Sequence, residues 1–400
     1  MLAVPLGIYI SVPFCRTKCS YCNFASDVFS RAVFERYVAR VCDDIANIRR
    51  TVAELAGQFE TEVDSIYLGG GTPTVLESVQ LQRMFDAVRA QFNLQRDVEI
   101  TVECAPGTLT PAVLDGLLRC GVNRVSLGVQ SFADGEAAAV GRLHKRATVL
   151  DEIARLRAAG IPSLNIDLIA GLPHQTAESW QFSLEQAMAA GVPHISVYML
   201  EVDEDSRLGR ELIAGGTRYH AHFVPDEEAT CDFYLAACDK LEAAGIAQYE
   251  ISNFARAGYA SRHNLKYWTR QPYLGFGVDA HSMLLAAGAN LDAIRFSTAD
   301  SLEQYVAGTP LEKTTVPAAQ ALEERFFLGL RLNRGVDLRA IAESFGCEAV
   351  AQVYPIIKQA EADGLMDAAG NVARLTSRGR LLSNEVFQRF LASGEIPAKA

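Results

Sequence analysis

LGIYISV (residues 6–12), running at once into PFCRTKCSYC (13–22), is the stretch on which the architecture turns. Leu6, Ile8, Ile10 and Val12 alternate with Gly7, Tyr9 and Ser11, the period of a β-strand. At its end stand Cys15, Cys19 and Cys22, spaced C-x3-C-x2-C. Five more short, β-branched segments follow: 64–68, 98–102, 124–129, 163–169 and 194–200. Helical patterns fill the gaps. Val33, Tyr37, Val41, Ile45 and Ile48 recur at spacings of three or four, which marks one helix face. Segments 78–92, 110–120, 149–159 and 177–190 read the same way, and Thr110-Pro111 is a good helix start.

Six βα units in series require right-handed crossovers and a parallel sheet. The expected fold class is α/β, a partial or full (β/α) barrel, with a doubly wound open sheet as the alternative. The near-continuous apolar runs suggest strands buried on both faces. Residues 202–228 break the rhythm with acidic residues, Gly215-Gly216 and Pro225, and read as a loop. A helix over 229–245 and a seventh strand over 248–252 are expected next. Residues 253–285 are rich in aromatics, Gly and Asn without clean periodicity. The barrel domain is thus placed at 1–295.

A second domain is expected over 300–400. Helical patterns at 322–332, 338–345 and 350–363, a hairpin over 364–375 and a last helix make it mostly helical and winged-helix-like. Its charge is balanced, without the basic excess of a DNA reader.

Charge points the same way. The 400 residues carry a net −11, which argues against nucleic-acid binding through phosphate contacts. No apolar run reaches the ~18 residues of a membrane span, and Met1 to Gly7 lacks the basic start of a signal peptide. A cytoplasmic protein, not integral to a membrane, is expected. Nine cysteines without a secretion signal suit thiol chemistry better than disulfides. Six of them (Cys42, Cys104, Cys120, Cys231, Cys238, Cys347) are scattered and read as packing residues. The clustered three leave three readings. They pack, they bind zinc with a remote fourth ligand, or they hold a [4Fe–4S] cluster with one iron open to a ligand. The end of a barrel strand, where such folds place their active sites, favours the last.

CRTKCSYC after a strand, followed by YLGGGTPT (67–74), resembles the radical S-adenosylmethionine (SAM) superfamily. With ITVECAPGTL, VNRVSLGVQSF, VGRLHKR, NIDLIAGLP and HNLKYW, the chain is similar to the family of oxygen-independent coproporphyrinogen III oxidases and their haem-chaperone relatives, over roughly 7–390. The resemblance implies a [4Fe–4S] cluster on Cys15, Cys19 and Cys22, with SAM on the fourth iron. It implies SAM contacts at Tyr9, Tyr21, Gly70, Gly71, Thr72, Glu103, Gln130, Arg142 and Asp167. A guanidinium at 142 suits a carboxylate. The sequence departs from the family at Cys104-Ala105 and at Val278-Asp279.

Two features separate the branches. In the oxidases a fourth cysteine follows the third by two positions; here Asn23 and Phe24 follow Cys22. A cluster loop starting at residue 15 also leaves no room for the N-terminal segment of the oxidases. The resemblance therefore implies a haem chaperone that binds haem and passes it to an unidentified acceptor protein, with a reductant for the cluster. A porphyrinogen oxidase is the alternative. His263-Asn264-Leu-Lys-Tyr267 matches a haem-associated motif of the chaperones, and imidazole is a common axial ligand. A site exposed enough to hand over its ligand is expected there. His220-Ala-His222 is a second candidate, because alternate residues of an extended segment share a face.

Overall fold

The computed structural model describes residues 4–286 and 293–391. Six parallel strands run in chain order across one sheet: β1 (Leu6–Val12), β2 (Glu62–Gly70), β3 (Asn93–Cys104), β4 (Arg124–Gln130), β5 (Ser163–Ala170) and β6 (His194–Met199). They are joined by α1 (Arg31–Glu54), α2 (Ser78–Gln91), α3 (Pro111–Cys120), α4 (Arg146–Ala158) and α5 (Ala177–Ala189). The caps are those the sequence advertises. Thr110 Oγ1 accepts from the Val113 N–H, with Pro111 in the first turn, and Gly121 closes α3 in the left-handed region at φ 84°.

The pleat divides the strands cleanly. Leu6, Ile8, Ile10 and Val12 are fully buried on the outer face, in one core with Tyr37, Val38, Val41 and Ile45 of α1. Each such side chain contributes roughly 1.5–3 kcal/mol, so a charge at Val41 would unseat α1. The inner face is polar, not apolar as the runs suggested. Asn165 Nδ2 donates to Ser126 Oγ (2.6 Å) and Ser196 Oγ (3.1 Å), and Ser196 Oγ donates to Asn253 Oδ1 (2.8 Å). Helices on the outside and a polar concave face make this a curved partial barrel, not a doubly wound sheet.

The second half of the sheet differs from the sequence reading. The parallel strand expected at 248–252 is replaced by Ala247–Gln248 and by Asn253–Ala255, which pairs antiparallel with β6. The seventh parallel strand is β7 (Tyr273–Gly277), on the free edge of β1 with Gly7 opposite Tyr273. Gly275 is obligatory there: a Cβ would lie 2.2 Å from the His281 carbonyl oxygen. The stretches read as irregular hold α6 (Arg207–Ala214) and α8 (Arg262–Trp268), with α7 (Glu227–Ala243) between them. The junction expected near residue 300 lies inside the sheet. Antiparallel β8 (His281–Ala286), β9 (Ala293–Ser297) and β10 (Glu312–Val316) extend it, with Arg295 opposite Thr314. The β-branched run Thr314-Thr315-Val316 suits an edge strand.

Helices Ala318–Gly329, Leu338–Phe345 and Cys347–Ala362, with the hairpin Met366–Ala369/Val372–Leu375, enclose a separate core around Phe326, Ile357 and Phe390. The last helix is split into Ser377–Leu381 and Ser383–Gln388. This unit meets the barrel through Glu324, buried between Arg270 (2.6 Å) and Arg295 (3.1 Å). Arg331 lies 4.3 Å over the Trp268 ring.

Candidate functional site at the two ends of the barrel

The cysteine loop is tied at its base. The Cys15 N–H donates to the Asp27 carbonyl (3.0 Å), and the Asp27 N–H to the Pro13 carbonyl (3.0 Å). Neighbouring loops dock on it: the Ser20 N–H donates to Val140 (3.1 Å), and the Leu208 N–H to Ser20 (2.8 Å). Cys15, Cys19 and Cys22 are all free thiols, Cys19 buried and the others half-buried. Burial raises the Cys15 and Cys22 thiols above their usual range. Among the described residues no group of three His, Cys, Asp or Glu is arranged to hold a single metal ion. A cubane makes a different demand, since it offers each thiolate its own iron.

The glycine run forms a cradle beside these thiols. The Gly71 N–H donates to the Val12 carbonyl (2.8 Å), and the Thr72 N–H to Phe14 (2.8 Å). Thr72 Oγ1 donates to Cys15 Sγ (3.7 Å). A Cβ on Gly71 would sit 2.7 Å from the Val12 oxygen and 3.1 Å from Cys15 Sγ; on Gly69 it would strike Glu103 at 2.8 Å. Only backbone fits, which leaves the space above it for a ligand.

Around this cradle the structure gathers the other residues singled out in the sequence. Arg142 donates from Nη1 to Cys19 Sγ (3.5 Å) and from Nη2 to the Gly128 carbonyl. Tyr9, half-buried on β1, brings its hydroxyl to 3.3 Å from where a Gly70 Cβ would be. Glu103 accepts from Tyr67 OH (2.8 Å), and burial pushes its carboxyl up to about 7. Asp167 accepts from Ser126 Oγ (2.9 Å) and Asn165 Nδ2 (2.6 Å); burial raises it as well. Gln130 is held at φ 69° with its buried Oε1 unpartnered. Tyr21 packs with Val140, Ile169 and Leu172. The chain thus offers an arginine, two carboxyl groups, an unpaired amide oxygen and three thiols around a backbone cradle, and this donor set fits a thiolate-bound cluster with an amino-acid ligand. Sequence reading missed Tyr67, although its in-phase position with Gly69 on β2 marks it as inward-facing. It also missed a cleft of about 470 Å³ beside Cys22, lined by Lys18, Asn23, Asp27, Asp203, Arg207 and Arg210 among others.

His263 lies one layer below these residues, on α8, which closes the other end of the strands; its ring stacks on Tyr67 at 5.4 Å and lies 6.4 Å from that of Tyr9. The Arg262 and His263 N–H groups donate to the Glu99 carboxylate (both 3.1 Å), and Lys266 pairs with Asp64 (2.7 Å). The imidazole is 1% exposed, with Nδ1 on Ser65 Oγ (3.1 Å) and Nε2 on Tyr267 OH (2.9 Å). Burial, with the Lys266 charge nearby, holds it neutral and pushes its pKa down to about 3. The ring that the sequence reading expected to be exposed is therefore buried. Ser65 stands six residues below Gly71, roughly 20 Å at ~3.3 Å per residue, and Tyr67 and Tyr9 fill the layer between His263 and the cradle.

A curved parallel sheet with a three-thiol loop and glycine cradle at its C-terminal edge defines the radical SAM class, and the sequence model of the radical SAM superfamily matches residues 9–187. That of the HemN C-terminal domain matches 316–382. The haem chaperone HemW of Bacillus subtilis is 34% identical over 96% of this chain and 98% of its own length. HemW of Escherichia coli is 32% identical over 97% and 98%. The structure of coproporphyrinogen III oxidase (HemN) from Escherichia coli superposes with a TM-score of 0.81 at 24% identity, covering 97% of this chain and 90% of that one. The chain belongs to the haem chaperone HemW family of radical SAM proteins. No helix among the described residues is long and apolar enough to cross a membrane.

Proposed function

We propose that this protein binds haem and hands it to an acceptor protein, and that its barrel mouth holds a [4Fe–4S] cluster on Cys15, Cys19 and Cys22 with SAM beside it. The observation that carries the reading is the full-length kinship with proteins named haem chaperones. When bound and reduced, the cofactor pair supplies one-electron chemistry at a sulfonium. The chain's own residues bind and orient. Arg142 presents a guanidinium to a carboxylate. Gly70, Gly71 and Thr72 admit the ligand's amino-acid end against the backbone. Gln130 Oε1 and Asp167 accept hydrogen bonds from it, and Tyr9 and Tyr21 wall the site. Glu103, with a pKa near neutrality, holds or releases a proton at the carboxyl that Tyr67 orients. An external reductant and a haem-accepting protein are the partners this reading requires.

The test is paired. The anaerobically purified protein is titrated with hemin, and the complex is then mixed with an apo-globin. A Soret band that moves to the globin supports delivery. In parallel, coproporphyrinogen III, SAM and a reductant are supplied. Catalytic formation of protoporphyrinogen IX would replace the chaperone reading by the oxidase.

A further inference from the structure

The His220 motif leads to a second histidine. His174 lies in the turn after β5, and His220 in the segment that follows α6; both loops rise at the C-terminal end of the strands. The two rings meet, with His174 Nε2 3.0 Å from His220 Nδ1. Phe223 stacks on His174 at 4.2 Å, and the His174 N–H donates to the Phe223 carbonyl (2.9 Å). Six non-glycine residues among those described have positive φ, and two of them are His174 (67°) and His220 (62°). Left-handed backbone costs a non-glycine residue of order 1 kcal/mol or more, and persists where the surroundings impose it. Here it is imposed twice, on two exposed or half-exposed imidazoles that touch.

We infer that His220 is the axial ligand for the haem iron, through Nε2, with His174 as the base that orients it. Ligating histidines donate their other ring N–H to an acceptor, which fixes the tautomer and raises the basicity of the ligating nitrogen. The pair has this arrangement when His220 Nδ1–H donates to His174 Nε2. The Nε2 lone pair of His220, which has no hydrogen-bond partner among the described residues, is then given to ferric iron. No proton is released, because Nδ1 keeps its own.

The surroundings suit a porphyrin. Phe223 is 57% exposed, and its ring lies 6.2 Å from that of His220. Glu211 holds α6 to the histidine segment by accepting from the Tyr219 and Ala221 N–H groups (2.8 and 3.1 Å). An exposed aromatic ring beside a ligating imidazole can stack on a flat apolar macrocycle. Arg218, exposed and two residues before His220, supplies a cation for a propionate. An accessible rim is also the geometry from which a ligand can be passed on.

This inference rests on the haem-binding reading, and the experiment separates the two. Wild type, His174→Asn, His220→Asn, the double variant, His222→Ala and His263→Gln are titrated with hemin and followed at the Soret band. Asn tolerates the left-handed backbone, so the loops keep their path, and unchanged far-UV circular dichroism checks it. The expected result is loss of the imidazole-type Soret in His220→Asn. In His174→Asn hemin affinity should fall about 10–100-fold, as for removal of a ligand's hydrogen-bond partner, and His222→Ala should behave as wild type. Wild-type spectra and affinity in the double variant would overturn the assignment, as would loss of the Soret in a folded His263→Gln alone. A wild type that binds no hemin would sink the haem reading itself.

Discussion

The two ends of the barrel use the same side chain in opposite ways. At the lower end His263 is sealed, both nitrogens are spent on Ser65 and Tyr267, and burial keeps the ring neutral. At the mouth His174 is exposed and His220 half-exposed, and beyond the bond between them each ring keeps one nitrogen without a partner among the described residues. A buried imidazole with both nitrogens hydrogen-bonded is costly to free, because doing so leaves polar groups unpaired in an apolar place. An accessible imidazole keeps a lone pair that it can give to a metal. The H-N-x-x-Y motif falls on the buried histidine, and the His220 motif on the open pair.

The contrast can be broken at either end. The largest effect is expected at the mouth. Cys19→Ala should abolish the brown absorbance and the roughly four irons per chain that one cubane requires, while leaving the fold intact; full iron content in that variant would remove the three-thiol site. At the plug, His263→Ala should cost stability instead, about 3–4 kcal/mol, from a lost buried ring and two orphaned hydroxyl partners. Urea denaturation reads this, and a loss below about 1 kcal/mol would mean that α8 does not lean on its histidine. Next comes Arg142→Ala. Losing a charge-assisted pair of about 1.5–3 kcal/mol should weaken SAM binding ~10–150-fold without moving the denaturation midpoint of the cluster-free chain, and unchanged affinity would take Arg142 out of the site.

The most gradual effect is a pair of opposite pH slopes, each spread over several pH units. Glu103 titrates at about 7 in the folded chain against an ordinary 4.5, so the folded state holds a proton that the unfolded state releases. Its contribution is complete below pH 4.5 and is lost as pH rises to 7. His263 is the reverse: folded at about 3 against an ordinary 6.5, its contribution is complete above pH 6.5 and is lost as pH falls toward 3. Melting temperatures across pH should show Glu103→Gln flattening the first slope and His263→Gln the second. A variant that leaves its slope unchanged would mean that its side chain does not sit in the dry environment described.

Why some of this was legible in the sequence follows from range. The six strands carry their own apolar period, and α3 its own caps, so local chemistry declares them. Cys15, Cys19 and Cys22 share one loop, and the glycines that cradle them end a neighbouring strand. The seventh parallel strand is hidden because YLGFG is short and two of its five residues are glycine, and its pairing with β1 is written nowhere in its own composition. The burial of His263 was hidden for the same reason: Ser65 and Glu99 lie 198 and 164 residues away. The meeting of His174 and His220, 46 residues apart, depends on two loop paths that no periodicity encodes.

The position of β1 between β2 and β7 has a consequence in time. The strand that launches the cysteine loop is among the first parts of the chain to be made, yet its second neighbour is among the later ones. Lys266 reaches back to the Pro5 carbonyl across 261 residues. At about 5–20 residues per second, the ribosome needs roughly 10–50 s to supply that partner. Until then one edge of β1 has no strand on it and the floor beneath the thiols is unplugged. The sheet beneath the cysteine loop is therefore completed only when most of the chain has been made.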